Sequence, residues 1–220
     1  TYSQASNVGV IVSIAPVFTA ITAHIFLKEE GKLRPAFFMG CVIALIGISL
    51  ISFSGTTMHL NPIGDLLSVG GAIIWSFYSV LSKKIGSFGY SVVQATRRTF
   101  FYGILFMIPA LFIFDFKWDL IRFATPAYLF NIFYLGLGAS AICFVTWNMA
   151  VRILGAIKTS VYIYLAPVVT AVTSVIILHE KITFLSGLGI LLVVGGLLLS
   201  EQKKKFFSIR GRKQAENVIE

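Results

Sequence analysis

The chain has 220 residues, of which 57% are hydrophobic and only 12% are charged, and its mean hydropathy is +0.88. A chain of this size cannot bury so many apolar side chains in one core, which excludes a water-soluble globular domain and a disordered protein. The net charge of +9 would point to nucleic acid in a soluble protein, so the placement of the charges has to be considered before any partner is named.

Seven segments are long and apolar enough to cross a bilayer, which takes about 20 residues per helix. Their apolar runs are continuous, whereas the strands of a membrane barrel alternate between apolar and polar residues. The sequence therefore predicts an all-α membrane protein, a multi-pass helical bundle. In chain order the predicted spans are Asn7–Leu27, Pro35–Ser54, Asp65–Ser82, Thr99–Phe114, Pro126–Val151, Ser160–Leu178 and Phe184–Ser200.

The basic residues gather in alternate loops, as expected for loops that face the cytoplasm. One set of loops holds fifteen of the eighteen Lys and Arg residues, and the other holds only Lys117, Arg122 and Lys181. This asymmetry predicts a cytoplasmic C-terminus, with Thr1 on the outer side of the cell membrane. Topology then explains the net charge, so no nucleic-acid partner is expected. No metal motif is present, and neither a metal nor a cofactor is expected.

An internal repeat relates Ala5–Glu29 to Ala156–Glu180 at an offset of 151 residues. The two copies have opposite predicted orientations, and such an inverted repeat is typical of secondary transporters. The second copy has five spans and the first only two, so we expect three spans, about 90 residues, upstream of Thr1 in the parent protein. The predicted domains are residues 1–60 (the last two helices of the first repeat), 61–200 (a complete second repeat) and 201–220 (a basic cytoplasmic tail).

Several short motifs follow one another in a specific order and spacing. They include Trp75-Ser76-Phe77-Tyr78, Thr146-Trp147-Asn148, Tyr164-Leu165-Ala166-Pro167 and His179-Glu180. On these motifs the chain resembles the EamA family of the drug/metabolite transporter superfamily over about residues 5–200. The resemblance implies ten helices in two inverted five-helix halves that carry small metabolites, often as an exporter. The chain departs from that pattern in having seven spans and in having His179 where the family usually has Gly or Leu.

Polar, aromatic and proline residues in the middle of the spans are the candidates for a substrate cavity. A mid-span proline leaves a backbone carbonyl unpaired. Trp normally lies at the membrane interface, and an Asn amide in the hydrocarbon needs a hydrogen-bond partner, so both are unusual in the middle of a span. Close helix packing and hydrogen bonding between helices are the alternative roles. The predicted cavity residues are Ser13, Pro16, Trp75, Tyr78, Ser79, Thr146, Trp147, Asn148, Tyr164 and Pro167.

Four charged residues at span ends are candidates for charge or gating roles: Glu29, Asp65, Arg98 and Glu180. Capping and loop salt bridges are the simpler roles for the three acids, because charges deep in a bilayer are costly. Arg98 is mainly a topology signal, with contact to a substrate carboxylate as the alternative. Small residues on two spans also favour close helix contact, either within the fold or in a homodimer. They are Gly40, Ala44, Gly47, Gly189, Gly196 and Ser200.

These observations favour a secondary transporter of small organic metabolites or drugs. It would act as an exporter by alternating access across the cytoplasmic membrane, with the bilayer and the solute as its partners. The alternative is a seven-helix membrane receptor or sensor, whose layout matches the predicted orientation. Against a receptor, the last span has no Lys for a retinal Schiff base, and a receptor does not account for an inverted repeat. A membrane enzyme is disfavoured because the spans lack an acid dyad, an HExxH motif and a serine nucleophile motif.

Overall fold

The computed structural model describes residues 5–27, 34–53, 61–114, 116, 123–179 and 183–201. Helices make up nearly all of this part of the chain, and it contains no β-strand. Seven helical segments within it are long and apolar enough to cross a membrane, as the hydropathy predicted. The helices are α1 (Ala5–Val12), α2 (Ala15–Phe26), α3 (Pro35–Phe53), α4 (Pro62–Gly86), α5 (Val92–Ile113), α6 (Pro126–Phe133), α7 (Cys143–Leu154), α8 (Ala156–Val161), α9 (Leu165–Leu178) and α10 (Phe184–Glu201).

Helices α4 and α5 both begin several residues before the apolar segments that the sequence predicts. Helix α4 starts at Pro62, where the Asn61 side chain accepts hydrogen bonds from two backbone N–H groups of the first turn and Pro occupies the first helical position. Helix α5 starts at Val92, seven residues before the predicted span, so Arg98 lies inside the helix. The extra turns are polar, and hydropathy marks only the hydrocarbon-crossing part of such a helix.

Three of the seven spans contain a change of helix type. Helices α1 and α2 are separated by a turn at Ser13 and Ile14, shortly before Pro16. Helices α8 and α9 are joined by a 3₁₀ segment, Tyr162–Tyr164, shortly before Pro167. Under the 151-residue offset Ser13 corresponds to Tyr164, so both repeat copies are interrupted at matching positions. The third change is a π-helix, Tyr134–Ile142, between α6 and α7.

The chain divides into two compact units, and the first contains Thr1–Val17, Lys32–Ser68 and Val161–Glu220. Its central feature is the pairing of α3 with α10 through small residues. A Cβ atom added to Gly47 would lie 2.6 Å from the Gly189 carbonyl oxygen, and one added to Gly196 would lie 2.6 Å from the Gly40 oxygen. The two helices therefore meet backbone to backbone. The predicted small-residue stripes thus pack against each other within one chain.

The second unit contains Phe18–Gly31 and Val69–Ser160. Its buried apolar cluster includes Ala23 of α2, Val80 of α4 and Val151 of α7. The Thr19 hydroxyl donates a hydrogen bond of 3.2 Å to the buried Ser76 hydroxyl, which joins α2 to α4. These contacts hold α4 against α2 and α7, and this arrangement positions the side chains described next.

Candidate functional site

Five aromatic side chains of the second unit form one cluster, which we call the aromatic site. Positions three apart on α4 and on α7 lie on one side of each helix, which brings Trp75 and Tyr78 towards Phe144 and Trp147. The Trp75 ring centroid is 5.1 Å from that of Trp147 and 5.5 Å from that of Tyr78. Phe144 contacts Trp75 and Tyr78 edge-on, and Phe100 of α5 lies 5.1 Å from Phe144. Such ring pairs add about 1 kcal/mol each beyond the burial of their area.

A hydrogen-bonded network borders the aromatic site. The Asn148 amide nitrogen donates to the Tyr78 hydroxyl at 2.8 Å and to the Thr96 hydroxyl at 2.9 Å. The Tyr78 hydroxyl in turn lies 3.1 Å from the amide oxygen of Asn148. An amide inside a membrane needs partners of this kind, because hydrocarbon offers none. The network fixes the Tyr78 ring and joins α4, α5 and α7.

Three polar groups at or next to the aromatic site remain without a partner. They are the indole nitrogens of Trp75 and Trp147 and the hydroxyl of Ser79, all buried and with no hydrogen bond among the described residues. Ser79 follows Trp75 by one helical turn on α4 and is fully buried. A buried donor without an acceptor costs about 1–3 kcal/mol, and native structures have few such groups. Three such groups together mean that this region has hydrogen-bonding capacity that the described residues do not use.

The structure brings four of the ten predicted cavity residues together here, namely Trp75, Tyr78, Trp147 and Asn148, and a fifth, Ser79, is buried one turn after Trp75 on α4. Thr146 belongs to the same unit, but its side chain is exposed and its hydroxyl donates to the Ile142 carbonyl one turn earlier.

The other four predicted cavity residues, Ser13, Pro16, Tyr164 and Pro167, belong to the first unit. The hydroxyl of Ser13 donates to the Gly9 carbonyl at 2.6 Å. Pro16 is buried, whereas Pro167 is partly exposed. Tyr164 is fully buried, and its hydroxyl lies beside the Cys41 thiol.

The four charged residues predicted to have charge or gating roles lie in different surroundings. Glu29 and Glu180 lie outside the described residues. Asp65 is in the first turn of α4, where a negative charge interacts favourably with the positive end of the helix dipole. The Arg98 side chain is exposed, and its guanidinium carbon lies 5.5 Å from the centroid of the Tyr90 ring.

Three contributors to the site were not among the predicted residues: Thr96, Phe100 and Phe144. Phenylalanine is common in membrane spans, so neither ring stands out in the sequence. Their spacing carried a signal, since Phe144 precedes Trp147 by three residues and Thr96 precedes Phe100 by four, placing each pair on one side of its helix.

A model of the EamA-like transporter family matches residues 1–53 and 62–201. An uncharacterized transporter of Archaeoglobus fulgidus is 26% identical over 206 residues, which cover 92% of this chain and 69% of that protein. The uncharacterized transporter YvbV of Bacillus subtilis is 27% identical over 210 residues, covering 93% and 65%. A protein of Streptantibioticus cattleyicolor named as a probable terminal-alkyne amino-acid exporter is 26% identical over 199 residues, covering 90% and 65%.

A solved crystal structure has the same fold, with a TM-score of 0.74 at 20% identity, covering 90% of this chain and 69% of that one. The chain spans about two thirds of the length of these relatives. The family match covers most of the chain, and its seven apolar helices agree with that match. The chain therefore belongs to the EamA-like transporter family.

Proposed function

We propose that this protein is a secondary transporter of small organic solutes and that the aromatic site binds the solute. The observation that carries the proposal is the set of three buried polar groups without partners, Trp75 Nε1, Trp147 Nε1 and Ser79 Oγ. Family membership and the seven apolar helices support it. The same membership favours a transporter over the seven-helix receptor that the predicted topology also allowed.

The chemistry of the aromatic site indicates what a solute needs in order to bind there. Two indole N–H groups require acceptors, such as the oxygen atoms of a carbonyl or carboxylate group. The tilted rings of Trp75, Tyr78 and Trp147 offer an apolar, aromatic surface to the rest of the solute. A solute with both features would satisfy the donors and remove their desolvation cost only when it is bound. Because the site contains no nucleophile paired with a base, it would bind its solute without covalent chemistry.

Alternating access requires spans that can bend, and the structure contains such points. The turn between α1 and α2, the 3₁₀ segment and the π-helix each interrupt the regular hydrogen bonding of a span. The two interruptions beside the prolines match under the repeat offset, as expected for inverted repeats that move in a related way. We place the protein in the cytoplasmic membrane with a cytoplasmic C-terminus, on the asymmetry of its basic loops. We propose export as the direction, which the name of the Streptantibioticus relative supports.

The proposal is tested by measuring the uptake of a panel of amphiphilic solutes, amino acids included, into proteoliposomes that contain the protein. Trp75→Phe and Trp147→Phe keep an aromatic ring and remove only the indole N–H. Each should raise the KM of an accepted solute about fivefold to tenfold, the equivalent of one lost hydrogen bond. Tyr128→Phe is the matched control, because it also removes one polar group from an aromatic ring but on an exposed residue outside the aromatic site.

Two outcomes would count against the proposal. If the parent protein, with the expected upstream spans restored, moves no solute of the panel while remaining monodisperse in detergent, the transporter function is wrong. If solutes are transported and both Trp variants behave like Tyr128→Phe, the aromatic site does not bind them. A receptor would instead bind a ligand without moving it across the vesicle membrane.

A further inference from the structure

A pocket lies in the second unit, between the end of α4 and the first turns of α5. It is open on one side and has a volume of about 210 Å³. Its polar lining comes from Tyr90, Gln94, Arg98, Thr99 and Tyr102, and its apolar lining includes Ile85. None of these residues belongs to the aromatic site. We call this pocket the basic pocket.

Arg98 is held in place on the wall of the basic pocket. Its guanidinium stacks on the Tyr90 ring, with 5.5 Å between the guanidinium carbon and the ring centroid. The backbone carbonyl of Tyr90 accepts a hydrogen bond of 3.2 Å from Arg152 Nη1, which braces the turn that carries the ring. Within the described part of the chain Arg98 makes no ion pair. The guanidinium is therefore oriented while its N–H donors stay available to an anion.

The surroundings of the basic pocket are positively charged. Four further basic residues lie at this end of the second unit: Lys83, Lys84, Arg97 and Arg152. The described residues of this unit include no Asp or Glu. This concentration of basic side chains favours an anionic ligand.

The apolar side of the basic pocket indicates where that anion comes from. Arg98 directly precedes the apolar stretch of α5, so its charge lies at the level where the hydrocarbon begins. Beyond it the side chains of Phe101, Tyr102 and Leu105 are exposed along the helix and offer a surface to acyl chains. A free phosphate would interact only with the oriented guanidinium of Arg98. A lipid would also be held by the contacts of its acyl chains and by the surrounding bilayer. We propose that the basic pocket binds the phosphate of an anionic phospholipid headgroup.

Lipid binding to the purified protein, measured by native mass spectrometry in detergent, tests this proposal. Phosphatidylglycerol should bind more tightly than phosphatidylcholine with the same acyl chains, because only the former has a net negative charge. Arg98→Gln should bind phosphatidylglycerol about tenfold more weakly than Arg97→Gln, which corresponds to one charge-assisted hydrogen bond. Arg97→Gln is the matched control, since it removes the same charge from the neighbouring residue, which does not line the pocket. The comparison cancels the general attraction of a basic surface for anionic lipid.

The exposed position of Arg98 means that its replacement leaves the fold intact, which size-exclusion chromatography verifies. Equal phosphatidylglycerol affinity of the two variants, or equal binding of the two lipids, would overturn the proposal. Inorganic phosphate distinguishes the two sources of the anion. If millimolar phosphate displaces phosphatidylglycerol from the wild-type protein but not from Arg98→Gln, the pocket is a site for free anions and the lipid assignment is wrong.

Discussion

Replacing Gly196 by alanine should weaken the packing of α10 against α3. The new Cβ would lie 2.6 Å from the backbone nitrogen of Ala44 and from the Gly40 carbonyl oxygen, whereas ordinary contacts of a Cβ are at 3.4 Å or more. The two helices would have to separate by about 0.8 Å at this point. The obstructing atoms belong to the backbone and cannot rotate away, so the cost should be near the upper end of the usual 1–3 kcal/mol for overpacking.

Gly195→Ala is the matched control for this prediction. Gly195 neighbours Gly196 on the same helix, and a Cβ added to it would meet nothing within 4 Å. Both substitutions gain the same helix propensity, up to about 1 kcal/mol, so the difference between them isolates the steric cost. Thermal unfolding in detergent, followed by the loss of monodisperse protein, should place the Tm of Gly196→Ala roughly 5–10 °C below that of Gly195→Ala. Equal values would show that α3 and α10 do not meet here backbone to backbone.

Three further predictions concern hydrogen bonding. Tyr164→Phe removes a buried hydroxyl whose polar neighbour is the Cys41 thiol, a weak hydrogen-bonding group, so the Tm should stay unchanged or rise; a fall would mean that the hydroxyl makes a stronger bond. Thr19→Val deletes the buried hydrogen bond to Ser76 and should destabilise the protein by about 1 kcal/mol in the same assay. Thr170→Val is its control and should destabilise the protein less, because the hydroxyl of Thr170 is exposed. Lys83→Gln weakens the 2.8 Å bond to the Arg152 carbonyl at an exposed position, so the loss should stay below about 1 kcal/mol, and a larger one would contradict the exposure of this contact.

Hydropathy predicted the seven helices well because a membrane constrains local sequence strongly. Every backbone group of a span has to be paired within its own helix, and its side chains have to be apolar, so each span can be recognised without its neighbours. The boundaries were less accurate where polar turns extend a helix beyond the hydrocarbon. Helix α5 begins at Val92 for this reason, and Arg98 lies within it.

The aromatic site was predicted only in part. Mid-membrane Trp75, Trp147 and Asn148 were recognisable by residue type, since a polar atom in hydrocarbon needs a partner. Their partners were not, because Asn148 bonds to residues 52 and 70 positions away in the chain. Thr146 was included for its type, and the structure uses its hydroxyl within its own helix. Residue type indicates that a polar side chain needs a partner, and it does not indicate which one.

The sequence by itself determined that this protein lies in a lipid bilayer. It also determined the number and approximate position of the apolar helices and the resemblance to the EamA family. These features follow from local composition, spacing and repeated motifs, which need no knowledge of long-range contacts. Only the tertiary structure decided that the glycines of α3 and α10 pack on each other within one chain and that five aromatic rings converge beside the Asn148 network. The physical reason is that lipid is as apolar as the side chains of the spans, so hydrophobicity alone cannot select which helix faces pair. Steric fit and hydrogen-bond partners make that choice, and both depend on residues far apart in the chain.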